Sequence, residues 1–378
     1  MIVPQLDLAA EYRKLRAEID AAVQQVFLKG AFIDGAENAA LEHELAECIG
    51  AAEVICVNSG TDALLLSLKA LGIGAGDEVI VPTFTFFATA EAVSLAGARP
   101  CFADCAPGQY NIDASSVGQA LTPRTRAVIA VHLFGQPVDL KPLQEFCANH
   151  NLWLIEDAAQ AIGARYHDRG TGSFGITGAF SFYPTKNLGA YGDGGAIACS
   201  DPDLASRLRR LRNHGRQDRY QHAEIGFNSR LDELQAAILR VKLPYLDDWN
   251  TQRRQLAALY QQALQNTECN WPAPLEGTVP VHHQFVITHP QRDALQLFLA
   301  EHNISTAVFY PAPCHRQPAF SESHAGVSLP LAERLADQVL ALPIYPALPP
   351  EAVRHIGKLI QDFEHGKGKH PNLIIEGQ

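Results

Sequence analysis

Lys186 lies in the run Ser181-Phe182-Tyr183-Pro184-Thr185-Lys186-Asn187-Leu188-Gly189, after Glu156-Asp157-Ala158-Ala159-Gln160 and before the glycine cluster Gly192-Asp193-Gly194-Gly195. An amine on a short turn among small and hydroxylic residues can condense with a carbonyl. A carboxylate one strand–helix unit upstream can hold a ring nitrogen protonated. Those are the two groups that pyridoxal phosphate (PLP) demands of a protein. Taken alone, Lys186 reads as a surface lysine; the segments around it shift that weighting. Asp157 ends an apolar run, and open α/β sheets place their ligands at the carboxyl ends of strands. Its bland alternative is an N-cap for the next helix.

Asn58-Ser59-Gly60-Thr61-Asp62-Ala63 falls between a strand and its helix. Backbone N–H groups and the Thr61 hydroxyl at such a helix start favour a phosphate, although Ser59 or Thr61 could equally serve as a plain cap. Phe86 could stack on a planar ring or belong to the core. Gly170-Thr171-Gly172-Ser173-Phe174-Gly175 spells G-x-G-x-x-G with Asp193 about twenty residues on, the outline of a nicotinamide-binding fingerprint. The context is wrong for that, because polar residues 165–169 precede it and no helical stripe follows. A flexible loop leading to the lysine is the better reading.

These residues need a scaffold, and β-branched runs at 54–57, 79–81, 101–103, 127–131 and 152–155, with helical patterns between, predict βαβ units and a mostly parallel, doubly covered sheet. Leu64, Leu65, Leu68 and Leu71 form a helical stripe that stops at Gly72. Tyr12, Leu15, Ile19, Val23 and Val26 predict an N-terminal amphipathic helix, and Leu231, Leu234, Ile238 and Val241 another, ended by Pro244. After about residue 250 the pattern becomes a long polar helix, a Pro-rich connection, a strand at 285–288, a helix at 290–302, a strand at 306–309 and a final helical region. The expected division is a large domain over 1–250 and a smaller α+β domain over 251–378, with residues 365–378 outside the core.

The chain has 378 residues, 47% hydrophobic and 19% charged, with a net charge of −11. This composition is that of a globular protein, without a run long enough to cross a membrane. Acidic and basic residues at 7, 11, 14, 18 and 20 argue against a secretory signal, so a cytoplasmic protein is expected. The eight cysteines form no C-x-x-C pair and read as reduced core residues. No H-E-x-x-H occurs, and adjacent His282 and His283 point to opposite faces of a strand, so no metal site is expected. The acidic balance opposes nucleic-acid binding. Arg207, Arg209, Arg210, Arg212, Arg216 and Arg219 form a local basic cluster, read either as a solvated helix face or as a recognition site for a phosphorylated small molecule.

Taken together, Ser59 to Ala63, Thr85-Phe86, Glu156 to Gln160, Ser181 to Asn187, Gly192 to Gly195 and Gly226-Phe227-Asn228-Ser229-Arg230-Leu231-Asp232 resemble the DegT/DnrJ/EryC1/StrS family of PLP-dependent nucleotide-sugar aminotransferases, in order over about residues 3–360. The resemblance implies an α/β, fold-type I aminotransferase architecture, a homodimer with shared active sites, and glutamate as amino donor. It implies that Lys186 tethers the cofactor and later shuttles a proton, that Asp157 pairs with the ring nitrogen, that Gln160 approaches the ring's phenolic oxygen and that Phe86 stacks on the ring. Gly60, Thr61, the Asp62 backbone and Ser181 would hold the phosphate, and Asn228 would reach the phosphate of the partner subunit's cofactor. Tyr183, His214, Arg230, Tyr310 and His315 match segments that line the sugar-nucleotide pocket, with Arg230 acting across the interface. Phe309 stands where many relatives have His, which favours a neutral deoxy-ketosugar over a uronate. Lys186 also argues against the family's dehydratase branch, where His replaces the lysine.

The expected reaction moves an amino group from L-glutamate to C3 or C4 of a nucleoside-diphosphate-linked ketosugar. The rival is a non-enzymatic regulator that binds a ligand or DNA on the same scaffold, and a nicotinamide dehydrogenase ranks third.

Overall fold

The computed structural model describes residues 1–366. Of the C-terminal tail set apart above, residues 367–378 lie outside the described residues. Five strands, β1 (Glu53–Val57), β2 (Glu78–Pro82), β3 (Arg99–Ala103), β4 (Thr125–Val131) and β5 (Trp153–Asp157), alternate with helices. A small hairpin, β6 (Arg165–Tyr166) and β7 (Arg169–Gly170), leads to β8 (Thr177–Ser181) and β9 (Gly195–Cys199). All but the hairpin form one sheet in the order β1-β9-β8-β5-β4-β2-β3. Every pairing is parallel except those of β9 with its two neighbours. The central strands are buried along most of their length because helices cover both faces.

The five predicted strands through residue 157 are present. The sequence reading missed β8 and β9, in which Phe180 and Ile197 stand alone among Thr, Gly, Ala, Ser and Cys, so they carry little strand signal. The strand expected at 306–309 is a correction: only an isolated bridge from Ala307 to Ala341 forms there. The partner of β11 (Phe285–Thr288) is instead β12 (Val339–Leu342). That strand follows the helix Pro330–Gln338 with no Gly or Pro between, so its apolar run reads as more helix. The remaining strand, β10 (Thr278–Val279), pairs with β6.

Residues beyond 250 feed two cores. Leu256, Tyr260, Phe285, Leu299 and Ile356 pack together with Val3 from the N-terminus, whereas Cys314, Phe320, Ala332 and Ala336 pack with the large sheet. No helix among the described residues is long and apolar enough to cross a membrane.

Glu156 explains the G-x-G-x-x-G run. Its carboxylate is fully buried and accepts the N–H groups of Gly172 at 2.7 Å, Phe174 at 2.6 Å and Gly175 at 2.7 Å, and it meets His132 Nε2 at 2.9 Å. The loop is therefore a nest for an internal carboxylate rather than for a dinucleotide. Gly172 has φ +86°, and a Cβ there would lie 2.3 Å from the Phe180 ring. Glu156→Ala removes the acceptor of three amides, one buried and two half-buried, each costing about 1–3 kcal/mol, so a loss of about 3 kcal/mol or more is expected in urea unfolding at constant m-value. Stability within about 0.5 kcal/mol of wild type, the range of an ordinary surface change, would remove Glu156 from this role.

Candidate active site

Because β1, β2, β4, β5 and β8 run parallel, their carboxyl ends share one edge, and β9 begins there. Across that edge Val57 and Ser181 both pair with Gly195, and Asp157 pairs with Val131 and Ala179. A cavity of about 390 Å³ opens at the edge, walled by Gly60, Thr61, Phe86, Asp157, Gln160, Ser181, Tyr183, Lys186 and Tyr310 among others. Segments more than 200 residues apart in sequence converge on it.

The helix Gly60–Ala70 starts at the rim. Ser59 caps it, accepting the Asp62 N–H at 3.1 Å, so of the two hydroxyls considered Ser59 is the cap and Thr61 is left on the cavity wall. A Cβ at residue 60 would sit 2.8 Å from Ser181 Cβ, so glycine is needed for the helix end to approach β8. The Asp62 carboxylate points to Ser229, whose hydroxyl donates to it at 2.6 Å. Asp62 thus braces the loop behind the helix end, and its own N–H is already engaged.

Asp157 is 6% exposed; its Oδ2 accepts from the Thr89 hydroxyl at 2.8 Å and its Oδ1 from the Ala159 N–H at 3.1 Å. Burial pushes its carboxyl above the usual range, against those bonds and the nearby Lys186 charge. Lys186 is half-buried as a residue, but its amine is enclosed, and burial pushes it down to about 8, opposed by Asp157. Gln160 is oriented by its surroundings. Its Oε1 accepts the Phe134 N–H at 2.6 Å, so the amide nitrogen must face the Tyr310 hydroxyl, 3.2 Å away. Phe86 is 57% exposed beside Tyr310, with ring centroids 6.1 Å apart.

His283, Asn187 and Thr89 were missed as site residues in the sequence. Asn187 Nδ2 donates to Asn250 Oδ1 at 2.7 Å and to the Val281 carbonyl at 3.1 Å, so its Oδ1 is the acceptor toward His283 Nδ1 at 3.2 Å. That places the His283 proton on Nδ1 and leaves Nε2 an unprotonated acceptor on a residue of the cavity wall. Burial and the Lys186 charge hold its pKa well below the usual imidazole value. The His-His pair offered only a metal question in sequence; burial of one member carries no local signal.

The chain matches the DegT/DnrJ/EryC1/StrS aminotransferase family over residues 13–361. It belongs to that family. Among similar proteins are the dTDP-3-amino-3,4,6-trideoxy-alpha-D-glucose transaminase of Streptomyces venezuelae, 47% identical with 94% of each chain covered, and the UDP-N-acetyl-3-dehydro-alpha-D-glucosamine 3-aminotransferase of Acidithiobacillus ferrooxidans, 45% identical over 96% of this chain and 98% of that one. A pleiotropic regulatory protein of Geobacillus stearothermophilus is 44% identical over 96% of this chain and 99% of its own. The solved structure of S. venezuelae DesV superposes with a TM-score of 0.94 at 45% identity, covering 96% of this chain and 98% of that one. NtdA of Bacillus subtilis, solved with bound pyridoxamine phosphate (PMP), gives 0.87 at 31% identity, covering 94% and 85%. The fold is that of the fold-type I aminotransferases, and this DegT-family chain is an enzyme with PLP as cofactor.

The residues present fit that cofactor. A buried carboxylate without a cationic hydrogen-bond partner, an amine with a lowered pKa, a helix start and an exposed aromatic face meet in one cavity. Asp157 would hold the ring nitrogen, Lys186 the aldehyde carbon, Thr61 and Ser181 the phosphate, Phe86 a ring face and Gln160 the phenolic oxygen. When bound, PLP supplies the electron sink for amine–carbonyl exchange. Lys186 supplies an amine of which roughly a tenth is neutral at pH 7, against about one part in three thousand for an ordinary lysine.

The remaining expected site residues lie elsewhere. His214 and Asn228 are exposed, outside the cavity. Arg230 is also outside it and donates to Asn213 Oδ1 at 3.2 Å, with its Nε unpartnered. His315 is a correction: it is 1% exposed, its Nδ1 meets the Thr83 hydroxyl at 2.7 Å and its Nε2 meets Glu333 at 3.0 Å, so both nitrogens serve the fold and none faces the cavity. The arginine cluster is mostly spent on acids. Arg207 and Arg210 pair with Glu224, Arg209 with Glu42 and Glu53, and Arg212 with Glu42 and Asp34. This weakens both a free basic face and the regulator that would use it.

Capture of PLP by the apoprotein should therefore speed up about tenfold per pH unit below about 8 and level off above it, since only the neutral amine reacts. Asp157→Asn removes a charge that favours the ammonium form, so the midpoint should move to lower pH. A wild-type midpoint near the ordinary ~10.4, or an upward move in the variant, would contradict this account of Lys186.

Proposed function

We propose that this enzyme transfers an amino group from L-glutamate to C3 of a nucleoside-diphosphate-linked ketosugar. The observation that carries the reading is the cavity itself, in which Lys186 and Asp157 face one space wide enough for a cofactor ring and a sugar. Support for the substrate class comes from relatives named for 3-amino sugars on dTDP and UDP carriers. They favour C3 over the C4 alternative. Phe309 on the cavity wall offers no hydrogen-bonding or charged side chain to an acid sugar, so a neutral deoxy-ketosugar is preferred over the uronate taken by the Pseudomonas aeruginosa relative at 39% identity.

In this reading Lys186 carries the proton between the substrate carbon and the cofactor, and His283 Nε2 accepts a sugar hydroxyl. The reducing cytoplasm suits eight cysteines that are all free thiols. The test is the visible spectrum of purified protein on addition of L-glutamate alone, then of dTDP- and UDP-linked 3-ketosugars. The cofactor band should be lost with glutamate and restored by a 3-ketosugar. A band that glutamate leaves unchanged would remove the donor, and restoration only by 4-ketosugars would move the position.

We also propose a homodimer in which Asn228, Arg230 and His214 complete the partner's cavity. The proposal accounts for the position of all three outside their own cavity, for the exposure of His214 and Asn228, and for the exposed apolar residues Phe27, Leu28, Phe32 and Ile33. Lys186→Ala and Arg230→Ala should each be inactive alone. Mixed and allowed to exchange subunits, they should recover about a quarter of wild-type activity, because half the dimers are hybrids and each hybrid holds one intact site of two. No recovery after verified exchange would place Arg230 in its own subunit's site, and full activity of Arg230→Ala alone would place it outside any.

A further inference from the structure

An ionised carboxylate offers about four lone-pair positions, and the fold fills two of those on Asp157. One donor is the Ala159 N–H, from the turn that Asp157 itself begins. The other comes from a separate element. Thr89, in the first turn of the helix Ala88–Leu95, donates its hydroxyl to Asp157 Oδ2 at 2.8 Å. A hydroxyl has one proton, so toward Thr85 Oγ1, 3.2 Å away, Thr89 can only accept. Both directions are thereby fixed: Thr85 donates to Thr89, and Thr89 to Asp157. The two threonines are 3% and 1% exposed, and hydroxyls aligned in this way polarise one another toward the carboxylate.

The chain of hydroxyls is itself held. The Thr89 N–H donates to the Phe86 carbonyl at 3.2 Å, and Cys314 pins the stretch before it, its N–H on the Thr83 carbonyl at 2.8 Å and its thiol on the Thr85 carbonyl at 3.6 Å. Among the described residues Thr89 is the only side chain that hydrogen-bonds Asp157. The titratable groups that face Asp157 are Lys186, His132 and Tyr310. His132 accepts the Val138 N–H on Nδ1 at 3.1 Å, so its proton lies on Nε2 toward Glu156, while the Tyr310 hydroxyl meets Gln160. Burial raises the Asp157 carboxyl, and the Thr89 bond is the largest influence that opposes it.

We propose that Thr89, oriented by Thr85, is a positioning residue for the cofactor ring, holding Asp157 as an ionised and oriented carboxylate for the ring nitrogen. The inference rests on the assignment of Asp157 to that nitrogen. Its test uses two probes that bind the full-length apoprotein without reacting with Lys186: deoxypyridoxine phosphate, which carries a methyl group where PLP has its aldehyde, and the same molecule with CH in place of the ring nitrogen. The ratio of their affinities, followed calorimetrically against pH, cancels the titration of the phosphate and reports the pairing at the nitrogen. In wild type the preference for the nitrogen ring should fall on acidification, as Asp157 takes up a proton.

Removing a donor from the charged form of an acid raises its pKa, so in Thr89→Val and Thr89→Ala that fall should set in about one pH unit higher, the worth of one hydrogen bond to a carboxylate. Thr89→Ser restores the hydroxyl and should return the fall to within about 0.2 unit of wild type. Thr85→Val should move it in the same direction as the Thr89 variants but less, because Thr89 then loses the bond that orients it. A purely structural role for Thr89 would lower stability and leave the pH of the fall in place. Asp157→Ala should abolish the preference at every pH. If it does, and the fall stays within about 0.2 unit of wild type in both Thr89→Val and Thr89→Ala, the role of Thr89 is overturned while that of Asp157 stands. A preference that survives in Asp157→Ala would remove Asp157 from the ring nitrogen, and Thr89 with it.

Discussion

Two adjacent carboxylates on one strand cannot face the same way, and this alternation at the end of β5 organises the site. Glu156 turns into the core, where three backbone amides and His132 surround it. Asp157 turns toward the cavity, where Thr89 and Ala159 leave it short of a positive partner. The first fixes the loop between β7 and β8, and hence the path that brings Ser181 and Lys186 to the edge. The second gives that edge its chemistry. A one-residue slip of β5 would exchange these roles and lose both.

Much of this order was legible in the sequence because it is local. The apolar runs through residue 157, the stripe ending at Gly72 and the lysine segment each announce themselves within a few residues. What escaped detection depends on partners far along the chain. β8 and β9 consist, apart from Phe180 and Ile197, of small residues whose strand character comes from pairing with each other and with β1 and β5. β12 reads as a continuation of its preceding helix until Phe285 to Thr288 is laid against it. The G-x-G-x-x-G run could be rejected as a dinucleotide site from context, but its true occupant, a glutamate sixteen residues upstream, required the fold. His315 illustrates the opposite error: a resemblance placed it at the substrate, whereas Thr83 and Glu333 engage both its nitrogens.

Amide orientation supplies a second layer of organisation that no spacing rule reaches. Gln160 and Asn187 are each held by donors or acceptors of fixed identity, which decides the direction of the remaining bond. The Phe134 N–H forces Gln160 to present its amide nitrogen, and Asn250 with Val281 forces Asn187 to present its oxygen. One cavity wall therefore offers a donor and, through His283, another offers an acceptor. A ligand with an anionic oxygen at the first and a hydroxyl at the second satisfies both without rearrangement, which is the sense in which the site is preorganised.

The same desolvation acts on Lys186 and Asp157 in opposite directions, lowering the amine and raising the carboxyl, because in each case it is the charged form that burial disfavours. Their mutual attraction opposes both shifts. Each is the other's nearby counter-charge, and that attraction does not overcome burial for either group. Asp157 would pair with the cofactor's ring nitrogen, and its charge would then do less to keep the Lys186 amine protonated. The burial that disfavours both charges is therefore what prepares Asp157 to take a cationic partner and Lys186 to act as a neutral amine.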